Sequence, residues 1–327
     1  MPVTAGTLQT YASATIREDL ADAENLITPT ETPFMSMIAG KGKPATNTKH
    51  EWLVVALQAV NTSNRVVEGE ASPGNDTVNV AARRGNYTQI SDKVVMVSDT
   101  SQRIDGAGNV EKLSKQIAYK LKELKRDKET MLLQNIASSA GSTSAARQAS
   151  GLPAMIITGH STVGTGGTAG APGTLSGGFV TVAAVNATTN GSLTETALNA
   201  AIQSAWTRGG DPRHIMVSPT NKRLISQTFV GSTGAQARRD QGDKQIVNVV
   251  DIYESDFGRL KITPNRFQDV EDVFVLDPDH VAISYLQPTT QKPLARTGHA
   301  DSVLISCEYT LEVGNEAAHS VIRDTTG

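Results

Sequence analysis

Residues 109–137 read NVEKLSKQIAYKLKELKRDKETMLLQNIA, and this stretch decides the fold class. Val110, Leu113, Ile117, Leu121, Leu124, Met131 and Ile136 recur mostly at three- and four-residue steps. That spacing places them along one side of an α-helix. Lys112, Lys115, Lys120, Lys122, Glu123, Lys125, Arg126, Lys128 and Glu129 occupy the remaining positions, and no Gly or Pro interrupts them. Asp105 or Asn109 is placed to cap the start. The stretch predicts one long helix with a buried stripe and a basic, solvated face. Two other readings of that face stay open: contact with phosphates, or with an acidic patch on an identical neighbour.

A helix with one apolar stripe needs a layer to rest on, and the C-terminal third supplies strands. Between 302 and 313, Val303, Ile305, Cys307, Tyr309, Leu311 and Val313 alternate with Glu308, Thr310 and Glu312, a period-two pattern. Segments 273–276 and 281–286 flank Asp277-Pro278-Asp279, which predicts a hairpin. Residues 246–327 as a whole read as mostly β. Upstream, Ser192-x-x-Glu195 predicts a capping box for a helix ended by Gly209-Gly210-Asp211-Pro212. A strand at 214–217 and a helix led by Pro219 to about Phe229 follow. The stretch 159–178 is rich in Gly and Thr and predicts a flexible loop, with short strands at 154–157 and 179–185. The class is α+β.

The first hundred residues have a different character. Residues 1–50 carry a plausible helix at 14–27. Extended, turn-rich chemistry at 28–34 follows, then a break at Gly40-Lys41-Gly42-Lys43-Pro44. Residues 51–100 predict two long strands with a polar tip around 61–77, then a strong strand at 90–98. A lone two-stranded ribbon is marginal in water. Arm and ribbon therefore lack cores of their own and make sense if identical copies supply the missing partners.

Composition narrows the function. The 327 residues hold 30 Lys and Arg against 33 Asp and Glu, a net charge of −3, so no dominant basic surface grips nucleic acid. The single cysteine, Cys307, excludes an internal disulfide and a Cys-rich metal site, and its place on an apolar strand face predicts a buried hydrophobe. The N-terminus shows no signal peptide and no apolar run is long enough to cross a bilayer, so the chain reads as cytosolic at synthesis. Gly159-His160-Ser161-Thr162-Val163 approaches a nucleophile elbow but has Val163 where the motif needs Gly. Gly164-Thr165-Gly166-Gly167 meets a loose dinucleotide pattern, yet Ala171-Pro172-Gly173 follows where a helix is required. The histidines are scattered without metal-ligand spacing. The reading is a non-enzyme with no cofactor, no metal and no catalytic residue. A serine hydrolase using Ser161 stands as a remote alternative.

An ordered series of short motifs resembles one family. It runs Arg17-Glu18-Asp19-Leu20, Pro29-x-Glu31-Thr32-Pro33-Phe34, His50-Glu51-Trp52 and Glu68-Gly69, then Asn86-Tyr87-Thr88-Gln89-Ile90 and Val97-Ser98-x-Thr100. Lys122 to Glu129, Ser150-Gly151-Leu152 and Gly209-Gly210-x-Pro212 complete it. The chain resembles the major capsid proteins of tailed bacteriophages with the Hong Kong 97 fold, and within them the subgroup typified by the podophage SU-ten capsid. The resemblance implies an N-arm at 1–50 and an extended loop hairpin with peripheral strands at 51–100. It implies a spine helix of the peripheral domain within 101–150, an axial domain at 151–265, and closing peripheral strands at 266–327. It implies an icosahedral shell around packaged double-stranded DNA, assembled in the bacterial host cytoplasm from pentamers and hexamers of identical subunits. The implied partners are a portal protein, scaffold and decoration proteins, and non-specific contact with DNA, with no membrane. No long scaffolding segment precedes the arm, so a separate scaffold or none is implied. An encapsulin-type compartment is the alternative shell. Phe34 and Trp52 are candidate apolar anchors for assembly, against the reading that both pack inside their own subunit. Glu68 near the ribbon tip and Arg126 on the spine helix are the other candidates.

Overall fold

The computed structural model describes residues 28–69, 77–104, 110–166, 170–228, 251–296 and 298–326. The expected helix at 14–27 lies outside them. The long helix forms as Leu113–Leu133, here α3. A short helix α1 (Pro33–Ile38) precedes it, where the sequence predicts extended chain. Pro33 occupies the first turn, where its missing N–H costs nothing.

Two sheets and two ribbons organise the rest. The ribbon is β1 (Lys49–Val54) paired antiparallel with β2 (Ala82–Tyr87). Its strands are shorter than the sequence predicts, since pairing stops at Val54 and Ala82. After Thr88 the chain enters β3 (Gln89–Ser98). A one-turn helix α2 (Asp99–Arg103) then leads towards α3. Beyond α3 the apolar segment at 154–157 is not a strand. Pro153 sits in the short helix α4 (Leu152–Met155). The described residues of the Gly/Thr-rich stretch form β4 (His160–Thr162) and, with the residues after them, a hairpin of β5 (Thr174–Ser176) with β6 (Phe179–Val182).

Helix α5 (Glu195–Thr207) is capped by Thr194, whose hydroxyl accepts the Ala197 N–H at 3.2 Å. The expected Ser192 box is thus displaced by two residues. Strand β7 (His214–Val217) and helix α6 (Pro219–Thr228) follow as predicted. Strands β8 (Ile252–Ser255), β9 (Gly258–Pro264) and β10 (Val273–Leu276) come next. β11 (Val281–Pro293), β12 (Ala300–Val313) and β13 (Ser320–Arg323) close the chain.

The Asp277-Pro278-Asp279 turn does not make a hairpin. β10 pairs with β7 and β13, whereas β11 pairs with β12. A 3₁₀ turn at Pro278–His280 sends the chain from one sheet to the other, with the Asp277 carboxylate accepting the Asp279 N–H. The six-stranded sheet runs β4-β13-β10-β7-β9-β8, and the three-stranded sheet β11-β12-β3. Of the closing strands, β11 and β12 thus join β3, while β10 and β13 build the same sheet as β7.

Alternation explains how that sheet serves two cores. Phe274, Leu276, Met216 and Val321 face a core shared with α1, α3, β3, β11 and β12. Val273, Val275, Ile215, Val217 and Ile322 face a second core with Leu198, Ile202 and Ile225 of α5 and α6. β10 is consequently buried at all four positions, a run that reads as continuously apolar because both faces are covered. On β12 the predicted alternation holds, with Ile305, Cys307, Tyr309, Leu311 and Val313 all buried.

The last strand is fixed by a buried ion pair. Arg323 Nε donates to Asp272 Oδ1 at 2.9 Å, and its Nη2 donates to Asn186 Oδ1 at 2.9 Å. Both charged side chains are almost fully enclosed. Burial pushes the Asp272 carboxyl up to about 6 even though Arg323 pulls it down. Removing one partner of such a pair strands the other charge in the interior. Asp272→Ala is expected to lower unfolding free energy by about 3–5 kcal/mol, read from urea titration. A loss below about 1 kcal/mol would show that Arg323 finds solvent easily.

Candidate assembly surfaces

The ribbon and arm meet the body through three polar joints. In the first, Glu129 projects from the last turns of α3 and is fully buried. Its Oε1 accepts the Phe34 N–H at 2.8 Å and its Oε2 the Met35 N–H at 2.7 Å. The first turn of a helix leaves such N–H groups unpaired, and α1 has no side-chain cap of its own. A carboxylate from another element thus caps α1 and complements its dipole. Asn265, just after β9, donates its amide to Glu129 Oε1 at 2.6 Å. Asn265 also donates its main-chain N–H to Val217 of β7 at 2.8 Å. Helix α1, helix α3 and the six-stranded sheet converge on one carboxylate. Burial raises its pKa, against the pull of the Met35 and Phe34 N–H groups.

In the second joint, Asn86 at the end of β2 is wholly buried. Its amide donates to the Ser150 and Leu311 carbonyls, both at 3.1 Å, and its Oδ1 accepts the Ser150 N–H at 2.8 Å. Gln89 Oε1 accepts the Ala149 N–H at 3.2 Å. Beside them Gly151 must be glycine, since a Cβ there would lie 1.8 Å from the Gln134 carbonyl oxygen. In the third joint, His50 Nε2 lies 3.0 Å from Glu312 Oε2, which also accepts from Ser284 Oγ at 2.9 Å. The structure therefore brings together motifs far apart in sequence: Phe34 with Glu129, Asn86 with Ser150.

Beyond these joints the ribbon turns apolar side chains to solvent. Leu53 is 67% exposed, Leu57 83% and Val60 91%, with Val78 and Val80 close to 80%. A second apolar row, left uncovered among the described residues, lies on β3. Its odd positions face α3, whereas Ile90, Val94 and Met96 point the other way and are each more than half exposed. Exposed apolar rows of this kind are candidates for contact with another surface.

The four candidate residues divide. The Phe34 ring is fully enclosed in its own subunit's core. Trp52 packs on the edge of that core and lines a cleft of about 260 Å³ under the ribbon root, with Val54, Val80, Met155 and Val180. Glu68 is exposed before the left-handed Gly69. Arg126 is half-buried, its guanidinium 5.6 Å from the Phe267 ring centre. Glu129 and Asn86 do not stand out from the sequence as key residues, although both lie within the motif series. The signal for Glu129 is a carboxylate one turn ahead of buried Leu132 and Leu133.

The basic face of α3 is less solvated than predicted. Lys128 is buried, with Nζ 5.3 Å from the Tyr285 ring centre and 5.6 Å from that of Tyr309, and it donates to Thr289 Oγ1 at 2.9 Å. Cys307 is a buried thiol whose pKa burial raises, as a hydrophobe's place on the strand predicts. Ser161 Oγ donates to the Val321 carbonyl at 3.2 Å, a strand-to-strand contact. Among the described residues no cluster of His, Cys, Asp or Glu could hold a metal. No described helix is long and apolar enough to cross a membrane.

Comparison with known proteins decides the family. The model of the SU10 major capsid protein family matches residues 3–326. The chain belongs to that family. It is 27% identical over 329 residues to the major capsid protein of Escherichia phage Phieco32, covering 93% of this chain and 92% of that protein. Among solved structures, the Cyanophage A-1(L) capsid asymmetric unit aligns with a TM-score of 0.64 at 16% identity, over 98% of this chain and 99% of that one. The SrpI encapsulin complex from Synechococcus elongatus aligns at 0.56 and 13% identity, over 98% and 96%. These likenesses show the Hong Kong 97-like fold, and the family places the protein in the virion capsid as a shell subunit among identical copies.

Two predictions follow from the joints. Replacing Glu129 with Ala leaves two buried N–H groups and an amide without their acceptor, an expected cost of about 3 kcal/mol. Amide exchange at Phe34 and Met35 should accelerate while β10 stays protected; unchanged exchange would contradict the capping role. The Glu312 carboxyl is held below its ordinary value chiefly by the His50 hydrogen bond, then by Ser284. Its stabilising contribution is complete above the unfolded value of 4.5 and is lost as pH falls through the lower folded value. Glu312→Gln should flatten the acid limb of the stability curve there, and an unchanged limb would refute the assignment.

Proposed function

We propose that this subunit builds an icosahedral shell around packaged double-stranded DNA through pentamers and hexamers, assembled in the bacterial host cytoplasm. Residues 1–50 serve as arm and 51–100 as extended loop with peripheral strands. Residues 101–150 carry the spine helix, 151–265 the axial domain, and 266–327 the closing strands. The observation that carries this reading is the ribbon, whose outward apolar residues have nothing to cover them within the described chain. In the shell, Leu53, Leu57 and Val60 of one copy lie on the Ile90, Val94 and Met96 row of another. Burial contributes roughly 1.5–3 kcal/mol for each large apolar side chain. Each contact is modest, and closure of the lattice raises the effective concentration for the next. Trp52 anchors the ribbon root. Glu68 meets a neighbour near the tip.

A net charge of −3 suits a wall that lies near DNA and touches it non-specifically. Portal, scaffold and decoration proteins are the remaining partners of this reading. A cargo compartment of the encapsulin kind shares the fold, and the family match favours the phage shell. Nuclease-protected DNA inside particles from infected cells separates the two.

The test is Leu57→Asp combined with Val60→Asp. Both sites are exposed, so unfolding free energy should change by less than about 0.5 kcal/mol. Electron microscopy should show that closed particles, abundant for the unaltered protein, are lost. Normal particles from the double variant would remove the ribbon from the assembly mechanism.

A further inference from the structure

Strand β11 does not run evenly beside β12. Gln287 pairs with Glu308 and Thr290 with Ser306, so Pro288 and Thr289 together stand opposite the single residue Cys307. This is a β-bulge, which interrupts the ladder and re-aims a side chain. Thr289 is exposed, yet its Oγ1 accepts from Lys128 Nζ of α3 at 2.9 Å. The same amine lies over the Tyr285 and Tyr309 rings, and Tyr309 is two residues from Cys307 on the same face of β12. The bulge thus gathers one amine, one hydroxyl and one thiol into one spot between α3 and the sheet.

Cys307 is the single cysteine of the chain and is only 1% exposed. The subunit holds no second thiol to pair with it, and a bulky thiol from outside cannot reach it. Burial raises its pKa, against the pull of hydrogen bonds from Lys128 and Thr289, so the thiolate is scarce and reacts slowly. Thr289 joins the spot to solvent, a path short enough for a small oxidant. A sulfenic acid formed on Cys307 has the Lys128 nitrogen beside it, and sulfenic acids condense with nitrogen as well as with thiols.

We propose that Lys128 and Cys307 are a modification site, which hydrogen peroxide converts to a covalent nitrogen–sulfur bond, a sulfenamide. In the first step the peroxide O–O bond breaks. Sulfur is oxidised by two electrons to S–OH, and the other oxygen leaves as water. In the second step the neutral Lys128 amine gives its lone pair to sulfur, the S–O bond breaks, and the hydroxide leaves with one amine proton as water. One thiol, one amine and one peroxide yield one S–N bond and two waters. Excess free thiol reverses the bond and is itself oxidised to a disulfide. The bond staples α3 to β12. A reducing compartment keeps the pair open, and an oxidising medium closes it. This goes beyond the shell function and does not depend on it, since it concerns one subunit.

The experiment uses the full chain, folded and treated with hydrogen peroxide at pH about 8.5, where thiolate and neutral amine are more plentiful. Mass spectrometry should show a loss of about 2 Da, with the tryptic peptides of Lys128 and Cys307 joined and then released by dithiothreitol. Cys307→Ser and Lys128→Arg should both lose the joined peptides, with circular dichroism checking that each still folds. The oxidised protein should unfold at a higher urea concentration than its dithiothreitol-treated form, because the bond closes a loop of the unfolded chain. Lys128→Arg should show no such shift. Oxygen gained on Cys307 with the two peptides separate would overturn the proposal, as would a thiol that peroxide leaves unchanged or one joined to another lysine. These masses are read from the unaltered protein, so the test stands even where a variant folds poorly.

Discussion

The buried carboxylate of Glu129 is the constraint on which the subunit's geometry rests. A charge inside a protein is tolerated only when donors surround it, and here the donors come from three directions. Phe34 and Met35 belong to the arm root, and Asn265 to the end of the central sheet. The helix that carries Glu129 runs from Leu113 to Leu133 along the core it shares with β3, β11 and β12. No two of these elements can shift relative to the third without stranding the charge. Asn86 performs the same service for the ribbon root with uncharged groups, tying β2 to Ser150 and to β12. These joints anchor the root of a ribbon that would be marginal on its own.

A molecule fixed so firmly within leaves its outside incomplete. The six-stranded sheet covers both its faces with its own cores, so β10 has no surface to offer. The three-stranded sheet packs one face toward α3; on the other, Ser284 and Thr310 of β11 and β12 are buried where the ribbon root rests, and only the β3 side is left uncovered among the described residues. β3 is its edge, ten residues long, with an apolar outer row. An exposed edge of that length is an invitation to other chains, which natural monomers usually blunt with charge, proline or a covering element. Only Asp92 interrupts the outer row here. The ribbon presents the matching kind of surface, and copies that share both features can complete one another repeatedly, which is the logic of a lattice.

Much of this was legible in the sequence because burial leaves a periodic trace. The stripe from Leu113 to Leu124 gave α3, and the alternation from Val303 to Val313 gave β12. What failed did so for local reasons. The Asp277-Pro278-Asp279 turn has hairpin chemistry, yet β10 is apolar on both faces and had to lie inside a sheet, which sends β11 elsewhere. Segment 154–157 is apolar and short, and Pro153 settled it as helix, a distinction that periodicity over four residues cannot make. Thr194 displaced Ser192 as the cap because both suit the role and only the three-dimensional start of α5 chooses between them. Lys128 stands where the apolar stripe calls for a hydrophobe. Its long stem fits the stripe while two tyrosine rings and Thr289 receive its amine. The motif series named the right segments, but not that Glu129 and Asn86 are where they meet, since contacts across tens of residues leave no mark in one sequence.

The account holds that the ribbon has a finished root and an unfinished length, completed only by other copies. Hydrogen exchange across residues 55–60, compared between unassembled subunits and closed particles, tests this most directly. The account requires fast exchange in the free subunit and strong protection in the particle, with β10 equally protected in both. Equal protection of residues 55–60 in the two states would mean that the subunit buries its own ribbon, and the account would be wrong.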